Sequence, residues 1–232
     1  MPEYNLVTGV LLVAIAGILY YAYRKEKIDD SAIVSTAIIG FTCLFAFGND
    51  GIIPLVIFFV VGNIVSHYKR KIKRKFGVEQ SIRTWKNVFA NGGASAVFSL
   101  LYIYSRNNVY FLGLIGSMAT AMADTSATEL GQIYGKNPRL MYNLKRVPIG
   151  TPGAISPEGF IFALIGSGII SSLLSLWNYR FSVFLVCLFS GFLCSVVDSI
   201  LGCTLEARGY INTHMINFLT TLLGGILVVL LV

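Results

Sequence analysis

The chain has 232 residues, of which 55% are hydrophobic and only 12% charged, with a formal net charge of +7. The charged share is about half that of an ordinary soluble domain, and the mean hydropathy is +0.72. A soluble globule of this length could not hide so much apolar surface, and a disordered chain, a coiled coil and a small disulfide scaffold are excluded as well. The apolar runs are too long for membrane β-strands and do not alternate. What remains is an all-α fold, a polytopic transmembrane helical bundle.

An α-helical span takes roughly 20 mostly apolar residues. In chain order the runs 5–23, 32–48, 51–67, 88–104, 109–129, 157–176, 181–202 and 212–232 qualify, which gives about eight spans within a range of six to eight. The runs 32–48 and 51–67 are short, and a re-entrant pair joined at Gly48-Asn49-Asp50-Gly51 is the alternative there. The first run is too long for a signal peptide and lacks its basic flank and cleavage site, so it is expected to stay.

Basic residues set the orientation. With the N-terminus outside, 16 of the 18 lysines and arginines fall inside, and only Arg106 and Arg180 fall outside. The positive-inside rule then predicts both termini outside, a single integral membrane domain over 1–232, and cytoplasmic segments at 68–87 and 130–156. The positive charge is topological rather than a nucleic-acid footprint, so membrane lipid is the expected partner and nucleic acid is not. The run Lys69-Arg70-Lys71-Ile72-Lys73-Arg74-Lys75 reads as a stop-transfer and headgroup anchor, or as a funnel for an anionic lipid or nucleotide. The short chain without a recognisable transit peptide points to a prokaryotic plasma membrane. Cys43, Cys187, Cys194 and Cys203 lie in or near apolar runs without metal or disulfide spacing. His67 and His214 read as interfacial residues.

Six acids (Glu3, Glu26, Asp29, Asp30, Asp50 and Glu79) sit in terminal or loop positions. Asp124, Glu129, Glu158, Asp198 and Glu206 lie within or at the ends of apolar runs. An ionised acid at membrane depth costs about 2.5–3.5 kcal/mol on insertion scales, which marks it as functional by default. All five map to the inside halves of their spans or just beyond. In Asp124-Thr125-Ser126-Ala127-Thr128-Glu129, Asp124 and Thr128 share a helix face, and Glu129 lies about 140° away from Asp124. Small neighbours there suit either helix packing or close approach of a ligand.

A second cluster runs Val147-Pro148-Ile149-Gly150-Thr151-Pro152-Gly153-Ala154-Ile155-Ser156-Pro157-Glu158. Its prolines and glycines exclude regular helix. Gly150 and Gly153 permit positive φ, so backbone N–H groups can converge on an anion. Lys145 and Arg146 precede the loop, and Lys136 and Arg139 are near. Ser156 and Pro157 are expected at N-cap and N1 of the following span. Asp198 in the third cluster shares a face with Gly202, while Glu206 falls about 12 Å further along a straight helix and reads as interfacial, paired with Arg208. In the fourth cluster Arg83, Asn87 and Asn91 form one polar stripe at i, i+4, i+8, and Asn91-Gly92-Gly93 is also a turn signal. Carboxylates without histidine or thiolate partners favour Mg²⁺. Together with the basic residues and the glycine loop they suggest an Mg²⁺-dependent enzyme handling phosphate and an amphipathic substrate.

At these residues the sequence resembles a known family. Ala90-Asn91-Gly92-Gly93, the run Asp124 to Gly131, Pro148-Ile149-Gly150-Thr151-Pro152-Gly153 and Asp198-Ser199-Ile200-Leu201-Gly202 occur in the order found in the integral-membrane phytyl-phosphate kinases and their relatives. The resemblance covers most of the chain from about residue 80 on. The chain is more distantly similar to phytol kinase, dolichol kinase and CDP-diacylglycerol synthase. One departure is Pro152, where the family's Gly-Thr-Asn-Gly-Gly loop has asparagine.

The resemblance implies a transferase of lipid metabolism. It is expected to be a CTP-dependent (or other NTP-dependent) kinase converting an isoprenoid monophosphate of phytyl or geranylgeranyl type to its diphosphate, with Mg²⁺, at the cytoplasmic membrane face. Asp124, Glu129 and Asp198 are then the expected metal ligands and, with Lys145, the catalytic set. Ser126, Thr128, Lys136, Arg139, Arg146, Gly150, Thr151 and Gly153 are expected on the phosphates. Arg83, Asn87 and Asn91 would orient the nucleotide or acceptor, and the lipid tail would lie between helices, open to the bilayer. A CTP-dependent lipid-phosphate cytidylyltransferase, a free-alcohol kinase and a transporter of an anionic solute are the alternatives.

Overall fold

A computed structural model describes residues 6–78 and 82–232 of the chain. Glu3 and Glu79 lie outside these residues. Eight long helices carry the fold: α1 (Leu6–Arg24), α2 (Asp30–Phe47), α3 (Asn49–His67), α5 (Trp85–Ser105), α6 (Val109–Tyr134), α7 (Pro157–Ser171), α8 (Phe181–Leu201) and α9 (Thr213–Leu231). A short α4 (Arg70–Lys75) follows α3, a 3₁₀ segment (Ser172–Trp177) extends α7, and a π-turn (Gly202–Glu206) extends α8. The two-residue strands β1 (Arg139–Leu140) and β2 (Ala154–Ile155) pair antiparallel in the α6–α7 connection.

Six of these helices are long and apolar enough to cross a membrane: α2, α3, α5, α7 with its 3₁₀ extension, α8 with its π-turn, and α9. At 18 and 19 residues, α2 and α3 are each long and apolar enough to cross a membrane. Gly48 alone joins them, at φ 63°, in a tight helical hairpin. α6 runs to Tyr134 rather than ending at 129, and α5 begins at Trp85 and passes through Asn91-Gly92-Gly93 without a turn.

The caps account for several boundaries. Asp29 accepts from the Ala32 N–H at the start of α2, and Thr84 and Asn87 form a capping box on α5. Ser156 accepts from the Gly159 N–H with Pro157 at N1 of α7, as the sequence predicts.

α6 is the axis of the bundle. Residues 111–123 are buried throughout, against α5, α7, α8 and α9. Small residues bring the backbones together, as membrane helix packing requires. A Cβ on Gly224 of α9 would lie 2.0 Å from Thr120 Oγ1, and one on Gly116 would lie 2.6 Å from Val228. α1 is the exception: among the described residues its backbone comes close to other helices at few points.

Candidate active site

A cavity of about 810 Å³ opens among the helix ends at the basic end of the bundle. Its wall carries Asp124, Thr128, Glu129, Asp198, Arg83, Asn87, Asn91, Gly150, Thr151 and Gly153. Ten of the residues singled out in the sequence therefore converge, from the α4–α5 connection, α5, α6, α8 and the α6–α7 connection.

Each carboxylate has a distinct setting. Asp198 accepts a hydrogen bond from the Thr220 hydroxyl of α9 at 2.9 Å, which orients it across the helix interface. Glu129 is buried, and its carboxylate pairs with the ammonium of Lys73, itself only 2% exposed. Lys73 also donates to the carbonyls of Val65 at 2.9 Å and Ser66 at 3.0 Å near the end of α3. The anchor reading of the basic run is therefore corrected for this residue: Lys73 turns inward from α4 to meet an acid at membrane depth. Arg83 donates to Ser66 Oγ at 2.9 Å. Burial pulls its guanidinium pKa down from the usual range, and the charge of Glu129 works against that shift.

Glu206 also departs from expectation. The wide π-turn shifts the phase of the chain relative to a continuous α-helix, and Glu206 reaches the cavity wall, accepting from the Thr213 hydroxyl. The pairing expected with Arg208 is replaced by this contact.

The glycine loop is built by close approach. Gly153, at φ +67°, presses its backbone against the end of α8, where a Cβ would lie 2.2 Å from Ser199 O and Cys203 N. Gly150, at φ +89°, leaves room for Val78, which a Cβ would meet at 2.3 Å. The Thr151 hydroxyl donates to Pro148 O at 2.8 Å.

The remaining candidates do not reach the wall. Ser126 is buried on the opposite side of α6, where a Cβ on Gly166 of α7 would lie 2.6 Å from its Oγ, so it serves helix packing. Lys136, Arg139, Lys145 and Arg146 are exposed and line no part of the cavity. The β1–β2 pairing, with an Arg139–Arg146 bridge, turns this basic half of the connection outward while Ile149 to Ser156 face in. Asn87 and Asn91 line the cavity, but each spends part of its amide on α5: Asn87 Oδ1 accepts from the Thr84 N–H, and Asn91 Nδ2 donates to Asn87 O.

Asn217 of α9 is a residue the sequence reading missed. It lines the cavity, and its buried Oδ1 has no hydrogen-bond partner among the described residues. The signal was a polar stripe of Thr213, Asn217 and Thr220 on one face of an otherwise apolar helix.

No three His, Cys, Asp or Glu side chains among the described residues gather closely enough to hold a metal by themselves. Glu129, engaged by Lys73, is thus not brought into one ligand set with Asp124 and Asp198. Besides Glu129, the wall offers the carboxylates of Asp124, Asp198 and Glu206, the Asn217 carbonyl oxygen and the His214 imidazole, so the candidate donors are mostly oxygens. That chemistry fits Mg²⁺, which takes one or two carboxylates and completes its shell with water and substrate phosphates.

Fold and site together define a polytopic membrane protein with a carboxylate-lined cavity at its basic end. The chain matches the integral membrane protein family DUF92 over residues 13–225 and belongs to it. It is 29% identical to an uncharacterized membrane protein of Methanocaldococcus jannaschii, over 98% of this chain and 94% of that protein. It is 27% identical to protein VTE6, chloroplastic, of Arabidopsis thaliana, over 87% of this chain and 64% of that protein. Protein PGR of the same plant is 24% identical over 92% of this chain and 83% of its own length. No solved structure matches.

Proposed function

We propose that this protein is a prenyl-phosphate kinase, transferring the γ-phosphoryl group of a nucleoside triphosphate, CTP by the family resemblance, to an isoprenoid monophosphate. The observation that carries the reading is the convergence of Asp124, Asp198, Arg83 and the Gly150–Gly153 loop on one cavity. The motifs that carry the family resemblance are those that meet there, and the similarity to VTE6 agrees with them. By the positive-inside rule the cavity faces the cytoplasm.

The chemistry needs little from the protein beyond placement and charge. A phosphate monoester has a second pKa of about 6 and is largely dianionic near neutrality, so its oxygen attacks without a strong base. An acceptor oxygen forms the new P–O bond as the γ-phosphorus leaves the β-bridging oxygen, and the nucleoside diphosphate departs with that electron pair. The wall holds Asp124, Glu129, Asp198 and Glu206, so phosphates enter only with compensating cations. Mg²⁺ held by Asp124 and Asp198, with Asn217, would neutralise the phosphate oxygens and hold donor and acceptor together. Arg83 supplies a fixed guanidinium for an acceptor or donor phosphate.

The test is a product assay. Detergent-purified protein is incubated with Mg²⁺, γ-labelled CTP or ATP, and geranylgeranyl or phytyl monophosphate. Label in a lipid diphosphate is the expected result. Release of pyrophosphate with a CMP-lipid would reassign the reaction to nucleotidyl transfer. Movement of unaltered substrate into proteoliposomes would replace the enzyme with a transporter.

A further inference from the structure

The cavity has two unlike ends. Its polar end is described above. The rest of its wall is mostly apolar and comes from α1 (Leu12, Ile15, Leu19), α2 (Ala37, Gly40) and α3 (Ile52, Leu55, Val56, Phe58, Phe59), among others. Gly62 of α3 lies beside Thr125 of α6, where a Cβ would come within 3.9 Å of the Thr125 methyl, which fixes the level of the acids on α3. Ile52 to Phe59 lie three to ten residues beyond that level, about 5–15 Å deeper along the helix.

Gly40 sits on this wall in the middle of α2. A Cβ there would meet nothing within 4 Å, because it would project into open space. A helix-interior glycine is unfavourable relative to alanine, and here it secures no helix contact. α1 lines the same stretch of wall with few close backbone approaches to other helices among the described residues. The whole cavity, at about 810 Å³, falls in the size range of single small-ligand sites, about 300–1,000 Å³, which suits one chain with its headgroup.

We propose that the apolar arm enclosed by α1, α2 and α3 seats the hydrocarbon chain of a single-chain lipid phosphate, an isoprenoid monophosphate, and that Gly40 keeps the arm wide enough to admit it. The headgroup position rests on the kinase reading above. The arm begins at the level where that reading puts the phosphate, and it runs toward the bilayer interior, where only a hydrocarbon occupant is compatible with its lining.

The experiment measures binding and chemistry separately. Displacement of a fluorescent prenyl monophosphate by geranyl, farnesyl and geranylgeranyl monophosphates is compared in wild-type protein and Gly40→Phe. The wild type is expected to bind more tightly as the chain lengthens, and Gly40→Phe to lose at least tenfold in its preference for the geranylgeranyl over the geranyl compound. Ala37→Leu, on the same wall, serves if Gly40→Phe elutes as aggregate, and is expected to shift the preference the same way. An unaltered ratio in both variants overturns the seat, and so does equal displacement by a two-chain phosphatidate. Label transfer from CTP with an unaltered ratio leaves the kinase reading standing and removes the seat. Chain-length-dependent binding without label transfer does the reverse.

Discussion

The ammonium of Lys73 and the carboxylate of Glu129 form a buried ion pair across 56 residues of sequence, linking a six-residue basic helix to the axial helix of the bundle. Removing one member of such a pair leaves a buried charge, at a cost of about 3–5 kcal/mol, whereas replacing both is far milder. Lys73→Met is therefore expected to be strongly destabilised, and Lys73→Met with Glu129→Gln to recover most of the loss. Thermal unfolding of the single and double variants in detergent measures the coupling. A double variant no more stable than the single would place the stabilisation elsewhere.

Asp198 is held by Thr220, and such outer partners typically set metal affinity within about 10–100-fold. Thr220→Val removes the hydroxyl and keeps the shape. It should weaken Mn²⁺ binding, followed by electron paramagnetic resonance, by a factor in that range. Asp124→Asn and Asp198→Asn should abolish turnover and still insert into the membrane, because the lost charge eases burial. Near wild-type activity at limiting Mg²⁺ would remove either residue from the metal site.

Arg83 lines the cavity and Lys145 does not. Arg83→Gln is expected to lower kcat/KM for the nucleotide or acceptor by about 10²-fold, the order seen when one charge-stabilising donor is removed from a site. Lys145→Ala should change it by less than about threefold, since surface changes away from special features are small. Steady-state kinetics on both variants decides it. An equal loss would mean that the basic half of the α6–α7 connection folds over the bound substrate.

Gly153→Ala tests how the loop is seated. The added methyl would meet Ser199 O and Cys203 N at 2.2 Å, at a φ of +67° that disfavours any side chain. A cost of about 1–3 kcal/mol is expected from backbone strain of this kind, with the loop displaced from α8. Limited proteolysis within residues 135–156 should quicken while the helices stay protected. An unchanged cleavage rate would show that the loop accommodates the methyl in place.

The helices were legible because their signals are local. Ser156-Pro157 announces the start of α7 by capping chemistry alone, and the apolar runs fall within a few residues of the observed helices. What the sequence concealed depends on distant partners or on departures from ideal pitch. The apolar run on α6 ends at Glu129 although the helix continues to Tyr134, and the counter-charge of that acid is Lys73, hidden in a run of basic residues that reads as an anchor or a funnel. Glu206 was placed by straight-helix arithmetic, which the π-turn invalidates. Lys145 and Arg146 were drawn toward the site by closeness in sequence to the glycines, yet the two-residue ladder with Ala154-Ile155 sets them on the other side of the connection. Asn217 was within reach of a polar-stripe argument on α9.

The looseness of α1 bears on traffic. A wall whose backbone comes close to its neighbours at few points among the described residues can part from them at small cost, and α1 is that wall on one side of the cavity. A lipid passing there never leaves hydrocarbon. On the proposed kinase function, its arrival would be a two-dimensional encounter, governed by its mole fraction among membrane lipids rather than by its concentration in water, while the nucleotide would come and go by the basic mouth. Two reactants of opposite solubility thus need no common door.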